Sequence, residues 1–336
     1  MSNVRRVNLK GIRRVVKARR NDLFYLLALS ARTLARTLPR PLGLPLFGAL
    51  TAFAYRMPSV DKTRTLDHLS LIYGERWSEA TIEATARGVY ANIGMNMFDA
   101  ICLPGLDEQR LDAIVKIDAR NEFDQAYHEG NGIVVITAHC GCFEMLLPLF
   151  ARKGYRCFAL GQRLFDKRID KLVSAARNGP NMESLYRSDN PREIIRRLRE
   201  GKVFGVLIDQ DTRVEGLFAP FLGKLAYTPS GPLKIALRYK VPVFVVTTAR
   251  QPDNTHRVFI SPRLTLQHSD DFQSDLLHAV QEANAHICRT IEAYPQQWVW
   301  MHRRWSRTPA SGGSESLLLS ETLEHNQSSH PHSRVC

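Results

Sequence analysis

Cysteine is scarce in this chain of 336 residues, and Cys102, Cys140, Cys142, Cys157, Cys288 and Cys336 have none of the spacings of a disulfide framework or a zinc ribbon. That argues against a disulfide-stapled secreted scaffold and fits a reducing, cytoplasmic-side location. Long apolar runs are lacking too. A spanning helix needs about 20 consecutive apolar residues, and the run at residues 23–29 is soon interrupted by Arg32, Arg36 and Arg40. A basic start before a short apolar stretch imitates a secretory signal, but no clear small-residue cleavage site follows it. No internal repeat suggests a solenoid.

Acid is nearly absent from the front of the chain. Residues 1–40 hold eleven Lys or Arg side chains, and Asp22 is their single acid, so most of the net charge of +13 sits there. Basic charge followed at once by apolar residues points to an anionic membrane surface, where each basic residue contributes about 1 kcal/mol. No folded nucleic-acid recognition motif accompanies the charge, so nucleic acid is not the expected partner. Arg32, Arg36 and Arg40 fall four apart, as on one face of an amphipathic helix lying in the interface. A second apolar stretch, residues 42–55, contains Pro45 and reads as a re-entrant or interfacial hairpin. A solvated basic arm is the bland alternative for this region.

The pattern predicts four regions: 1–60, basic and membrane-associated; 61–128, helical; 129–306, an α/β domain; and 307–336, a disordered Ser/Gly/His-rich tail. Residues 132–137 form a short, β-branched, fully apolar run of the kind that makes a buried strand. Further strands are predicted at 155–160, 203–208 and 243–248, with an edge strand at 256–260. Helical patterns at 167–177, 192–200 and 232–239 alternate with them, and 272–293 reads as a long amphipathic helix. The fold class expected is α/β: a mixed, mostly parallel sheet with helices on both faces, preceded by an amphipathic helical N-terminal region.

The segment Thr137-Ala138-His139-Cys140-Gly141-Cys142-Phe143-Glu144 follows the buried strand directly and opens an apolar helical run. Ligands of open α/β sheets gather beyond the carboxyl ends of strands, so His139 stands where a site is expected. An imidazole accepts a hydroxyl proton at neutral pH when it is neutral and held in the right tautomer. A compact turn would let Glu144 reach Nδ1 and leave Nε2 free, with amides near residues 141–143 holding an oxyanion. Three alternatives stand beside this pair: a structural turn, a metal or thiolate site at His139, Cys140 and Cys142, and a cysteine nucleophile. Asp209 ends a predicted strand, where an acid orients a base or an acceptor or else caps a turn. Arg163 and Arg177 flank a predicted helix, and Arg is suited to bidentate phosphate recognition. Trp298, Trp300 and Trp305 suit a lipid interface or the core. Phe218, Phe221 and Leu222 are candidates for an acyl groove. Ser230 or Thr228 suits the cap of the helix that follows.

Several blocks occur in a definite order: residues 67–74, His139 to Glu144, Gly161-Gln162-Arg163 with Asp170 and Arg177, Asp209-Gln210-Asp211, residues 216–223, 228–231 and 295–305. In that order they resemble the lipid A biosynthesis acyltransferases, the lauroyl/myristoyl transferase family, over residues 20–306. The resemblance implies an O-acyltransferase with His139 and Glu144 as an HxxxxD/E-type catalytic pair. It also implies an acyl carrier protein or coenzyme A thioester as donor, a membrane glycolipid or phospholipid as acceptor, and a place on the cytoplasmic face of the inner membrane. No metal or other cofactor is expected. Family members often carry Asn-Trp where this chain has Cys142-Phe143, which narrows the expectation to the reaction class and leaves lipid A itself in question. A lysophospholipid or phosphoglycolipid acyltransferase is one alternative. A lipid-binding protein without activity on the same fold is another.

Overall fold

The computed structural model describes residues 9–161, 166–177, 179–186 and 192–309. Arg163 and most of the predicted tail therefore lie outside the described residues. The chain begins with helices α1 (Leu9–Thr37), α2 (Arg40–Ala54), α3 (Val60–Tyr73), α4 (Glu79–Cys102) and α5 (Glu108–Ile114). Ser59 and Ser78 cap α3 and α4 by accepting from the backbone N–H of Lys62 and Thr81, satisfying donors left open at a helix start. The α2–α4 crossing is close because it runs through glycine. A Cβ on Gly94 would lie 2.2 Å from the carbonyl oxygen of Phe47.

Strands then alternate with helices: β1 (Val115–Ile117), α6 (Asn121–His128), β2 (Ile133–Thr137), α7 (Leu146–Arg152), β3 (Cys157–Gly161), α8 (Lys167–Arg177), β4 (Met182–Tyr186), α9 (Arg192–Arg199) and β5 (Val203–Leu207). A hairpin of β6 (Gly216–Phe221) and β7 (Lys224–Pro229) precedes α10 (Gly231–Tyr239), β8 (Val243–Arg250), β9 (His256–Ile260) and α11 (Phe272–Ala293). Seven strands form one sheet in the order β1-β9-β8-β2-β5-β3-β4, parallel throughout except between β8 and β9. Successive residues of a strand face opposite sides. Val134 and Ile136 accordingly enter one apolar core with Leu233, Ala283 and Trp298, while Ile133 and Val135 enter a second with Phe123, Leu149 and Phe150. Covering both faces is what lets the central strands be apolar at every position. The fold is the expected mixed, mostly parallel α/β sheet.

Several local expectations change. Arg40 is not on the helix of Arg32 and Arg36, since α1 stops at Thr37 and Arg40 opens α2. Its guanidinium turns inward and grips Asp99 with two bonds, at 2.8 and 3.0 Å. Asp99 also accepts from Arg250 at 2.8 Å and contacts His256 at 2.8 Å, which joins α2 and α4 to the β8–β9 pair. These partners overcome the burial of Asp99 and hold its carboxyl well below the usual range. Residues 42–54 lie within one helix, α2, in place of a hairpin, with Pro41 in its first turn, where a missing N–H costs nothing. β9 is not the edge, because the short β1 pairs outside it. Ser230 occupies the cap position of α10 without a side-chain bond, and Thr228 instead accepts from Arg304.

Among the described residues no helix is long and apolar enough to cross a membrane. Exposed apolar side chains nevertheless gather on the first two helices: Leu23, Leu26 and Leu27 on α1, then Leu42, Leu50 and Phe53 on α2.

Candidate active site

His139 sits two residues past the end of β2, and Asp209 two residues past the end of β5. These strands are parallel neighbours, with Thr137 opposite Leu207, so the register itself brings the two side chains together. His139 Nδ1 lies 2.8 Å from Asp209 Oδ1, and the backbone N–H of His139 donates to Oδ2 at 2.8 Å. The indole of Trp298 donates to the same Oδ2, again at 2.8 Å. Asp209 is fully buried, and burial alone would push its carboxyl up. The charge and hydrogen bond of His139, the nearby His302 and the Trp298 N–H outweigh that and hold it well below the usual carboxylate range. An ionised Asp209 accepts only, so Nδ1 carries a proton, and in the neutral ring it is Nε2 that presents the lone pair.

The turn bearing His139 is clamped by the C-terminal block. The Gly141 N–H donates to the Gln297 carbonyl at 2.8 Å, and the Val299 N–H donates to the His139 carbonyl at 3.1 Å. Gly141 has φ +55°, and a Cβ there would lie 2.2 Å from the carbonyl oxygen of Thr248. Only glycine fits this left-handed, crowded position.

Glu144 does not reach His139 Nδ1, which Asp209 already occupies. Its carboxylate forms a bidentate pair with Arg177 at the end of α8, at 2.9 and 2.5 Å. The short 3-10 turn over Phe143–Met145 directs Glu144 to that side of the strand end. The Gly141 amide, already bonded to Gln297, is not free for an oxyanion. Cys140 and Cys142 are buried, one in each of the two cores, and burial raises both thiols, that of Cys140 to about 12. Thiols in that state are poor nucleophiles and poor metal ligands. Among the described residues no group of His, Cys, Asp or Glu is arranged to hold a metal ion.

Two groups that motif spacing did not single out complete the site. The Gln210 side-chain nitrogen lies 2.9 Å from His139 Nε2 and 2.7 Å from His302 Nε2. The His302 ring meets that of His139 edge-on, with centroids 4.6 Å apart. Burial, then the adjacent His139, lower His302 to about 4, so it is neutral at physiological pH. Gln210 was visible as the residue after a strand-end acid, and His302 as the polar member of a Trp-rich block. Trp298 and Trp300 are fully buried, which settles them as core.

His139, Glu144 and Arg177 line one cavity of about 560 Å³. Much of its lining is apolar, including Leu147, Leu185, Ile194, Phe204, Val206 and Ile235. Phe221 and Leu222, expected to line such a groove, are buried elsewhere: Phe221 lies beside Trp298 and under the Arg304 guanidinium, and the Leu222 amide donates to Cys288. Phe218 packs edge-on against Tyr227 in the hairpin.

This geometry sits within a chain that has known relatives. The lipid A biosynthesis palmitoleoyltransferase of Escherichia coli (strain K12) is 23% identical over 212 residues, 60% of this chain and 64% of that protein. The phosphatidylinositol mannoside acyltransferase of Mycolicibacterium smegmatis is 22% identical over 278 residues, 81% of this chain and 88% of that protein. The match thus spans just under two thirds of the Escherichia coli relative, and most of the mycobacterial one. The family model for bacterial lipid A biosynthesis acyltransferases matches residues 14–307, which include every residue of the site described above, and the chain belongs to that family.

Proposed function

We propose that this protein transfers a fatty acyl chain from a thioester to a hydroxyl of a membrane glycolipid. The observation that carries the reading is the dyad of half-buried His139 and buried Asp209, with His139 in the lining of a mostly apolar cavity. His139 Nε2 takes the acceptor hydroxyl proton while Asp209 stabilises the imidazolium that forms. The hydroxyl oxygen bonds to the thioester carbonyl carbon. The C–S bond then breaks, and the departing thiolate takes the proton back from Nε2. The acyl chain lies along Leu147, Ile194 and Phe204, and a cavity of about 560 Å³ is of the size that encloses most of a small ligand. Glu144 and Arg177, across the same cavity, are assigned to the acceptor side. There Arg177 is a cation for an acceptor phosphate, and Glu144 fixes its orientation. The chemistry asks for no metal or cofactor beyond the acyl thioester.

The exposed apolar residues of α1 and α2, beside Arg19, Arg20, Arg32 and Arg36, support attachment to the anionic cytoplasmic face of the inner membrane. One observation favours a second acceptor class. The relative aligned over the larger share of both chains is named for phosphatidylinositol mannoside, which makes a phosphoglycolipid the alternative to a lipid A precursor.

The test is to incubate purified protein with labelled acyl thioester, carried on acyl carrier protein in one arm and on coenzyme A in the other, together with a total lipid extract. Mass spectrometry of the labelled lipid names the acceptor. His139→Ala is expected to abolish labelling while keeping the fold and vesicle binding. Labelling that survives in that variant, or no labelled lipid with either donor, would overturn the reading.

A further inference from the structure

A continuous chain of hydrogen-bonded residues joins α2 to the turn that bears His139. Arg40 opens α2, the helix that exposes Leu42, Leu50 and Phe53, and its guanidinium holds both oxygens of buried Asp99. The same carboxylate accepts from Arg250, the last residue of β8. Arg250 exchanges two bonds with the Gln297 side chain: its backbone N–H donates to Oε1 at 2.7 Å, and its carbonyl accepts from Nε2 at 2.8 Å. The Gln297 carbonyl in turn accepts the Gly141 N–H, two residues past His139. A second branch leaves Arg250 through Nη2, which donates to the Asn96 side chain at 2.8 Å, and the Asn96 carbonyl accepts from the Cys142 thiol at 3.4 Å.

This chain has a second arrangement within reach. Asp99 Oδ2 faces Arg40, Arg250 and His256 at once, whereas Arg250 Nε is buried with no acceptor. A guanidinium and a carboxylate bond most strongly through two parallel bonds, and a buried donor left unpaired is costly. With Arg40 withdrawn, Asp99 can take the Nε edge of Arg250. That edge pairs Nε with Nη2, so engaging it pulls Nη2 away from Asn96. The movement starts at the residue whose backbone grips Gln297.

We propose that Arg40 is a positioning residue for the His139 turn, acting through Asp99, Arg250 and Gln297, so that the seating of α2 sets the geometry of the base. The activity arm of its test rests on the acyltransferase reading, whereas the main readout does not.

That readout is the Gly141 amide. Cys140–Gly141 is the single Cys–Gly bond of the chain, so labelling Cys carbonyl carbon with ¹³C and Gly nitrogen with ¹⁵N in the full-length protein isolates one NMR signal. The signal is expected to move in Arg40→Met, and to move less, in the same direction, in Arg40→Lys, which keeps the charge without the two-bond grip. In a Gln297→Met background the Arg40→Met displacement should shrink. Coupling through such a network is worth about threefold to thirtyfold in rate, so kcat should fall by that factor in Arg40→Met and by less in Arg40→Lys. The acceptor KM should hold, because Arg40 is not in the cavity lining. Circular dichroism checks the fold, and Arg40→Lys carries the test if Arg40→Met does not fold. A Gly141 signal that stays in place in the folded variants, or a displacement undiminished by Gln297→Met, would overturn the proposal. Failure of the acyltransferase reading would show separately, as no labelled lipid from the wild-type protein.

Discussion

Replacing Asp209 by Asn tests the centre of the site, and the outcome follows from counting donors. Asp209 Oδ2 accepts two N–H groups, from the His139 backbone and Trp298, whereas Oδ1 faces only the His139 ring. Asn has one oxygen and one NH2 group. Placing the oxygen at the Oδ2 position preserves two bonds. The flipped orientation sets NH2 against two buried donors, at about 1–3 kcal/mol for each unsatisfied group. The first orientation is therefore adopted, and it aims N–H at His139 Nδ1. The ring must then move its proton to Nε2, where the base needs a lone pair. The corresponding exchange in a serine-protease triad lowers kcat by about 10⁴ through the same wrong tautomer. The expected loss here is about 10³–10⁴ in kcat, with the acceptor KM little changed. Initial rates of labelled acyl transfer give the loss, circular dichroism confirms the fold, and ¹⁵N NMR of the imidazole reads the tautomer. A rate within tenfold of wild type, with Nδ1 still protonated, would refute the argument.

Other variants probe the surroundings. Gly141→Ala forces a Cβ toward the Thr248 carbonyl from a left-handed backbone, and is expected to cost about 1–3 kcal/mol in urea denaturation together with much of the activity. A stability equal to wild type would contradict the steric reading. Cys140→Ala is expected to keep activity within a few-fold, because its buried thiol has no part in the chemistry, and a loss of hundredfold or more with a normal melting curve would restore the nucleophile alternative. A Cβ on Gly205 would come 2.5 Å from a Leu147 methyl, so Gly205→Ala drives Leu147 toward the cavity, and competition between thioesters of different length should shift toward shorter chains. His302 has a folded pKa of about 4 against an ordinary 6.5, so the unfolded chain binds the proton that the folded ring refuses. Its neutral burial is therefore without penalty above pH 6.5, and lowers stability as pH falls from there toward 4, by about 3 kcal/mol at most. His302→Phe should flatten that part of the curve of urea midpoint against pH.

The central strands and most helices were legible because one face rule governed them. β2 and β8 are β-branched runs buried at every position, β5 is an apolar run buried over residues 203–205, and the 167–177 and 272–293 patterns became α8 and α11 at those bounds. The strands that escaped are short or polar. β1 has three residues, and β4 reads Met-Glu-Ser-Leu-Tyr, with neither a continuous apolar run nor a clean alternation. The β6–β7 hairpin carries a proline in each strand and turns at Leu222 and Gly223, both at positive φ. At the site, local spacing put Glu144 beside His139, but the ring nitrogen is held by an acid 70 residues away. Spacing within one turn cannot reveal such a contact. Pairing the two apolar runs as parallel neighbours would have, since equal offsets past Thr137 and Leu207 end at His139 and Asp209.

The clamp on the His139 turn also sets the order in which the site comes into being. The dyad belongs to β2 and β5, yet the indole that binds Asp209 and the backbone that holds Gly141 and His139 come from residues 297–299. A ribosome that has released only the sheet has made a base whose supporting acid lacks one of its three donors and whose turn lacks its second layer. On the proposed function, acyl transfer begins only when the Trp block has emerged and docked. On the membrane attachment proposed above, nascent chains held at the bilayer through α1 and α2 would then be unable to acylate lipid until residues 297–299 have docked.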